Sequence, residues 1–191
     1  QDAGVPILIH AYPDDMDKMG PALRRDSFCG KLSMIDVFFQ NDIKFTTLRP
    51  HVVSPTSPRF TANIDRFGRV CRVVGGLRRM RVGALGARTT PFKTVRVDEV
   101  ALQRRGVTVE TLDLADVLGR VRKVAPNSAA YRDKAAKLHA YTSFAAVPAA
   151  PMDNLVRLGV VLDNIVDEFQ LDAYAIRYWE ELQNELDISP C

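Results

Sequence analysis

The chain has 191 residues, of which 47% are hydrophobic, and a formal net charge of +3. This size is enough for a buried core in one domain or in two small ones, and no apolar run is long enough to span a bilayer. Its three cysteines, Cys29, Cys71 and Cys191, are widely spaced without a CxxC pair, and no basic-then-apolar leader opens the chain. We therefore expect a cytoplasmic protein with reduced thiols.

The charges are distributed unevenly along the chain. From Arg59 to Arg105 there are 12 Lys/Arg against 3 Asp/Glu, whereas from Met152 to Cys191 there are 2 against 9. The arginines lack interleaved aromatic residues and no nucleic-acid-reading motif is present, so we expect no nucleic-acid partner. Two alternatives are a solvated basic face, and a homo-oligomer in which the basic middle of one copy meets the acidic tail of another.

Apolar periodicity in the first part of the chain predicts two strand–helix pairs. The predicted elements are a strand over Val5–Ala11, a helix over Lys31–Gln40, a strand over Phe45–Val53 and a helix from Arg59 toward Val74. We expect Gly75-Gly76 to end the last of these helices, because glycine is common just beyond a helix.

The second part of the chain has the pattern of a βαβ element followed by further helices. The predicted elements are strands over Val82–Ala87, Val107–Asp113 and Asp172–Tyr178, and helices over Pro91–Arg105, Leu114–Val121, Tyr131–Thr142 and Met152–Gln170, with a last helix from Glu180. Parallel strands follow from this order. We predict an α/β fold of two doubly wound, mostly parallel, flavodoxin- or Rossmann-like units: residues 1–78, an incomplete unit, and residues 79–191.

The loop Arg88-Thr89-Thr90-Pro91-Phe92 follows a predicted strand, and Pro91 suits the first position of a helix. A helix N-terminus beside a guanidinium attracts phosphate, carboxylate or sugar hydroxyl groups. The alternative is an ordinary capped helix with a surface arginine.

A dinucleotide site is not expected near the same strand. Asp113 ends the next strand, but Gly83 and Gly86 are assigned to the strand interior, and the G-x-G-x-x-G turn is missing.

The segment Arg177-Tyr178-Trp179 comes at the end of the last predicted strand, where ligands bind in α/β sheets. An aromatic face with a guanidinium can stack on a sugar ring and donate to its hydroxyls. The alternative is that Trp179 is buried in the core and Arg177 pairs with Glu180 or Glu181.

Other reactive residues give weaker indications. Asp14, Asp15 and Asp17 with His10 could hold a hard cation, but adjacent turn carboxylates more often cap a helix or face solvent. Cys29 precedes a helix without a histidine nearby in sequence, which favours a structural thiol. We predict no metal ligand and no catalytic residue on this chain.

Several segments resemble a known family. Val82–Phe92 followed by Asp98–Gln103 is similar to the middle domain of the L-fucose isomerase/L-arabinose isomerase family. Asp172–Trp179 with Ser189-Pro190-Cys191 is similar to it too, and Asp26–Gly30 resembles a loop of the preceding domain. The resemblance covers nearly all of the chain as an internal stretch of a longer protein.

The resemblance implies an aldose–ketose isomerase of carbohydrate metabolism, usually manganese-dependent, that moves a proton through an enediol. It places the first metal-binding glutamate beyond a segment like Ser189-Pro190-Cys191, so the 191 residues are expected to be inactive alone. Substrate contacts are expected at Arg88, Arg177 and Trp179. The family commonly has an amide and a small residue where Arg177 and Tyr178 stand, which leaves the monosaccharide open. The alternative function is a non-catalytic α/β module that binds a sugar or sugar phosphate.

Overall fold

Parallel strands flanked by helices form both parts of the chain. The computed structural model describes residues 4–189, which divide between Gly75 and Gly76 into two compact units. The first unit has a parallel sheet of β1 (Leu8–Ala11) and β2 (Thr46–Val52). The second has β3 (Arg81–Leu85), β4 (Thr108–Leu112) and β5 (Ala173–Ile176), in the order β4-β3-β5 and all parallel. The predicted α/β fold with parallel sheets is therefore confirmed.

The helices that begin in the first unit are α1 (Ser27–Gln40) and α2, which runs from Pro58 to Leu77 and so ends two residues past the division between the units. The prediction that Gly75-Gly76 ends α2 is wrong. The helix continues through both glycines, whose backbones keep negative φ angles. Glycine weakens a helix interior by about 1 kcal/mol relative to alanine but does not break it.

The second unit contains five helices in the described residues. They are α3 (Glu99–Gln103), α4 (Leu114–Lys123), α5 (Ala129–Tyr141), α6 (Ala149–Phe169) and α7 (Glu181–Leu186). Side-chain caps define three of their starts: Asp98 accepts from the N–H of Ala101, Asp113 from Ala115 and Ser128 from Tyr131. Each cap satisfies a backbone donor that has no partner within the helix.

Two helix boundaries in this unit differ from the predictions. No helix starts at Pro91: a 3₁₀ turn forms at Lys93–Val95, and α3 begins only at Glu99. The β-branched residues between them disfavour a helix, and Asp98 supplies a strong cap. Helix α6 begins at Ala149 rather than Met152, and it includes Pro151. Proline is tolerated there because first-turn N–H groups have no intrahelical acceptor.

The core of the second unit lies between the sheet and the helices α4, α6 and α7. Leu85, Val117, Ile165 and Leu182 are completely buried in it. Buried positions alternate along β3, at Gly83 and Leu85, and they recur at helical spacing in α4 and α6, so the apolar pattern of the sequence coincides with the core.

The acidic tail of the chain is largely paired within its own unit. Five of its nine carboxylates form ion pairs there: Asp153 with Arg157, Asp163 with Lys134, Glu168 with Arg120, Glu181 with Arg177 and Glu185 with Arg122. Fewer carboxylates therefore remain for a charge-driven assembly of basic middle with acidic tail.

None of the helices in residues 4–189 combines the length and apolarity needed to cross a bilayer.

Candidate functional site

The carboxyl edge of the sheet β4-β3-β5 brings three chain segments together. Gly86 follows β3, Asp113 follows β4 and Arg177 follows β5. The N–H of Gly86 donates to the carbonyl of Leu112, and the N–H of Arg177 donates to the carbonyl of Leu85, both at 2.8 Å. Ligands of parallel α/β sheets bind at this edge.

Gly86 allows the close approach of these segments. Its φ is +83°, and a Cβ at this position would lie 3.3 Å from the Cβ atoms of both Arg177 and Leu114. The sequence assignment of Gly86 to the strand interior is wrong, because β3 ends at Leu85. Gly83 does lie within β3. Position 86 requires glycine, both for the positive φ of the turn and because a side chain there would crowd Arg177 and Leu114 at the neighbouring strand ends.

Arg88 lies in the loop that follows β3. Its Nη1 donates to the carbonyl of Thr90 at 2.7 Å and to that of Thr89 at 3.4 Å. The side chain is exposed, and within residues 4–189 it forms no ion pair with a carboxylate. The predicted anion site needs the N-terminus of a helix that begins at Pro91, and no helix begins there, so that part of the prediction is wrong. The Arg88 guanidinium is the part of the predicted site that remains in the loop.

Arg177 is held by residues of its own segment. Its Nη2 lies 2.7 Å from Glu181 Oε1, and its Nε donates to the carbonyl of Trp179 at 3.1 Å. Arg177 therefore pairs with the neighbouring carboxylate of Glu181, as the alternative interpretation of the sequence predicts. Its charge is largely offset by Glu181, while its position beside Gly86 is fixed.

Trp179 forms an aromatic pair with Phe92. The ring centroids are 5.0 Å apart with an interplanar angle of 49°, and Trp179 is 44% exposed and Phe92 40% exposed. The alternative of a core position for Trp179 is therefore wrong. The pair joins the loop after β3 to the segment after β5 and presents an apolar surface to solvent, which suits the C–H face of a sugar ring.

Two residues of this surface were missed or undervalued from the sequence. The sequence places Phe92 in a loop, and no sequence signal says which distant ring it meets. The sequence offers Glu181 as a partner of Arg177. Its Oε2 is buried and has no hydrogen-bond partner in the described part of the chain. The Phe92–Trp179 contact depends on β3 and β5 being neighbours, which pairs segments about 90 residues apart in the chain.

The acidic turn of the first unit is engaged in local contacts. Asp15 Oδ1 accepts from Arg25 at 2.8 Å, and Asp14 Oδ1 accepts from the backbone N–H of Asp26 at 2.8 Å. The hydrogen bond from Arg25 is the main reason that the pKa of Asp15 is lowered. Residues 4–189 contain no group of three or more His, Cys, Asp or Glu side chains that could hold a metal ion. The described residues therefore do not fit a manganese site.

His10 lies inside the first unit rather than in this acidic turn. Its ring is 5.0 Å from that of Phe60, and both ring nitrogens are buried without a partner among the described residues. The pKa of His10 is lowered from 6.5, mainly because burial disfavours the charged ring and secondly because of the charge of Lys31. Of the other two histidines, His51 lies in β2 of the same unit and His139 lies in α5 of the second unit.

The lowered pKa predicts that the first unit loses stability in mild acid. The unfolded ring takes up a proton near pH 6.5 while the folded ring resists it, so the unfolded state binds more protons below that pH. We expect the stability to fall as the pH is lowered through 6.5 and to level off below the folded pKa, with a slope of at most about 1.4 kcal/mol per pH unit.

The measurement is thermal unfolding followed by circular dichroism between mildly alkaline and mildly acidic pH. His10→Phe should flatten the pH dependence, and the exposed His139→Gln should leave it as in the wild type. An unchanged slope in His10→Phe would mean that another group causes it.

A comparison with known protein families bears on the first unit. Residues 1–78 match the model described as fucose/sulfoquinovose isomerase, N-terminal domain. The match supports a fucose isomerase-like family. No curated protein matches the chain.

The fucose isomerase-like match agrees with the family resemblance expected from the sequence. It also makes an isomerase the expected parent activity. Arg88, Arg177 and Trp179 lie outside the matched residues, so their substrate contacts stay a prediction. Pro190 and Cys191 of the segment Ser189-Pro190-Cys191 lie outside the described residues.

Proposed function

We propose that this chain is part of a fucose isomerase-like aldose–ketose isomerase of carbohydrate metabolism, and that the surface around Arg88, Arg177 and Trp179 contacts the monosaccharide. The observation that supports it is the exposed Phe92–Trp179 pair at the carboxyl edge of a parallel sheet. The Arg177 guanidinium donates to the carbonyl of Trp179, and the Arg88 guanidinium donates to that of Thr90 in the loop that contains Phe92. Aromatic faces bind the apolar side of sugars, and guanidinium groups donate to hydroxyls.

The residues at this edge fit binding better than proton transfer. Isomerisation through an enediol needs a carboxylate or another base free to take the proton beside the carbonyl. Asp113 accepts from the N–H of Ala115 at 2.8 Å. Glu181 Oε1 is paired with Arg177 at 2.7 Å, and its Oε2 is buried away from solvent. We therefore assign to this surface the binding and orientation of the sugar, and no catalytic residue.

We propose manganese as the cofactor of the complete enzyme, with its ligands on residues outside this chain. The 191 residues alone are then expected to give no turnover of L-fucose or D-arabinose with added manganese. A coupled or colorimetric ketose assay checks this, and appreciable turnover by the chain alone would contradict the proposal. We also propose a cytoplasmic homo-oligomer that binds neither nucleic acid nor membrane.

Replacement of Trp179 should weaken sugar binding. Trp179→Ala removes one ring of the stacking surface, and we expect about 5-fold weaker binding, since an aromatic contact of this kind is worth about 1 kcal/mol. Trp179→Phe keeps an aromatic ring and should bind within a few-fold of the wild type. Titration calorimetry with a panel of aldoses and ketoses measures both variants. Equal binding by Trp179→Ala and the wild type would remove Trp179 from the site.

The second candidate is a non-catalytic module for a sugar or sugar phosphate. The loop between β3 and α3 favours it, because Arg88, Lys93 and Arg96 occur there without an acidic residue before Asp98. A module of this kind should bind one ligand at micromolar concentration, and a sugar phosphate more tightly than the free sugar. Arg88→Ala should remove that difference.

A further inference from the structure

A cavity of about 440 Å³ lies among the helices α4, α5 and α6 of the second unit. Its wall is formed by the last turn of α4, the loop that joins α4 to α5, the first turn of α5 and the second half of α6. A cavity of this volume is large enough to hold a small organic molecule.

The cavity lies toward the amino edge of the sheet, away from the proposed sugar surface. Helix α4 starts directly after β4, at the carboxyl edge, and it is the last turn of α4 that lines the cavity. Glu168 of α6 also lines it, and the carbonyl of the next residue, Phe169, accepts from Arg81 Nε at 2.9 Å where β3 begins. A ligand in this cavity would therefore not contact the residues that we assign to the sugar.

One cation in the wall of the cavity has no counter-charge. Lys123 forms no ion pair within residues 4–189, whereas Arg120, one turn earlier in α4, pairs with both Asp116 and Glu168. Glu168 lies in the same wall, but Arg120 donates to both of its carboxylate oxygens. The charge that the cavity offers to a ligand is therefore the single positive charge of Lys123.

Two uncharged groups in the wall can donate hydrogen bonds. The side chain of Asn164 forms no hydrogen bond in the part of the chain that the structure describes, so its amide N–H groups are available. Ser128 Oγ accepts from the backbone N–H of Tyr131 at 3.2 Å, which leaves the hydroxyl proton of Ser128 to be donated. These two side chains and Lys123 come from three different segments and line one cavity.

The rest of the wall is largely apolar. Five apolar residues contribute to it: Val124, Ala125, Ala130, Val160 and Val161. The loop between α4 and α5 is held in place, since Arg157 Nη1 donates to the carbonyl of Val124 and the N–H of Ser128 donates to that of Ala125. A preformed apolar wall with a few polar groups is the usual composition of a small-molecule site.

We propose that this cavity binds a small organic monocarboxylate. The carboxylate pairs with Lys123 and accepts from Asn164 and Ser128, and the hydrocarbon part lies against Val160 and Val161. One unpaired cation matches one negative charge, whereas a phosphate dianion would bring excess negative charge close to Glu168. The N–H and O–H donors satisfy the remaining lone pairs of the carboxylate.

Benzoate is a suitable probe, because it combines one carboxylate with an apolar ring. NMR of valine methyl groups in the full 191-residue chain should show shifts at Val160 and Val161, saturating at about millimolar benzoate, and none at Val70 of the first unit. Val160 and Val161 signals that do not move in tens of millimolar benzoate would overturn the proposal.

Three further compounds test which chemical groups the cavity recognises. Acetate has the charge without the ring, and benzyl alcohol has the ring without the charge, so each should bind at least about 10-fold more weakly than benzoate. Inorganic phosphate should also bind more weakly. Equal binding of benzyl alcohol and benzoate, or tighter binding of phosphate, would contradict a monocarboxylate site.

Matched variants locate the ligand. Lys123→Met should weaken benzoate binding about 10-fold and leave benzyl alcohol unaffected, whereas Lys44→Met, at an exposed lysine of the first unit, should bind both as the wild type does. Ala130→Leu puts a larger side chain into the wall and should block binding. Ala129→Leu, at the preceding position outside the wall, should not. Circular dichroism checks that each variant keeps its helices, and wild-type affinity in a folded Ala130→Leu would contradict the proposal.

The sugar variant Trp179→Ala separates this proposal from the proposed function. It should bind benzoate as tightly as the wild type, because Trp179 does not line the cavity. Failure of sugar binding would therefore leave this result unchanged, and failure of benzoate binding would leave the sugar surface unchanged.

Discussion

Replacing Gly106 with alanine is expected to lower the free energy of unfolding of the second unit by about 3 kcal/mol, through backbone strain and a steric clash. Gly106 has a φ of +89°, which L-residues rarely adopt, and a Cβ there would lie 2.1 Å from the carbonyl oxygen of Arg78. The clash is with backbone, so no side-chain rotation relieves it. Strand β4 begins at Thr108, whose N–H donates to the carbonyl of Met80, and the strain therefore acts where β3 and β4 start to pair.

Urea unfolding followed by Trp179 fluorescence measures this effect, because Trp179 is the one tryptophan of the chain and lies in the second unit. The matched control is Gly119→Ala in α4, where a Cβ would have no neighbour within 4 Å. The free energy of unfolding of that variant should be about 0.5 to 1 kcal/mol higher than that of the wild type, because alanine is a better helix former than glycine. Similar stabilities for the two variants would show that the turn at Gly106 is not as described.

Replacing Leu182 with alanine is expected to destabilise the second unit by about 3 kcal/mol, the usual cost of a cavity left by a fully buried leucine. Leu182 is completely buried, and with Leu186 it packs α7 against the core. It directly follows Glu181, which fixes Arg177, so a looser α7 should also weaken sugar binding at the strand edge. This second effect distinguishes Leu182 from core leucines that lie far from the edge.

The control for Leu182 is Leu77→Ala, because Leu77 is 51% exposed and leaves no enclosed cavity. Leu77→Ala should lower the free energy of unfolding by less than about 1 kcal/mol and leave the affinity for sugar unchanged. Urea unfolding gives the stabilities, and calorimetry under native conditions gives the affinities. If Leu182→Ala unfolded no more easily than Leu77→Ala, α7 would not be packed on the core.

Most of the elements could be predicted from local patterns. The helix over α4 and the capped start of α5 follow from apolar periodicity and from Asp113 and Ser128, which act within a few residues. The predicted helix boundaries that are wrong are those where two local sequence signals compete. Pro91 favours a helix start, but Asp98 caps a helix better. The prolines before Met152 indicated a break, but the first turn of α6 tolerates them.

The candidate site was predicted only in part. Arg88, Arg177 and Trp179 each follow an apolar strand in the sequence, and strand ends gather at one edge of a parallel sheet. The contacts of those residues were not predictable in the same way. Phe92 meets Trp179, and Arg177 approaches Gly86, because β5 lies beside β3 rather than beside β4.

The amino-acid sequence by itself determined the α/β class, the parallel strands and the resemblance to a sugar isomerase family, because propensity, periodicity and motifs are properties of short segments. Only the tertiary structure decided that Trp179 is exposed against Phe92, that Arg177 is paired with Glu181, and that Lys31 is buried without a carboxylate partner in the described residues. Burial and pairing depend on which distant segments meet, and the free energy of a buried charge depends on all the groups around it.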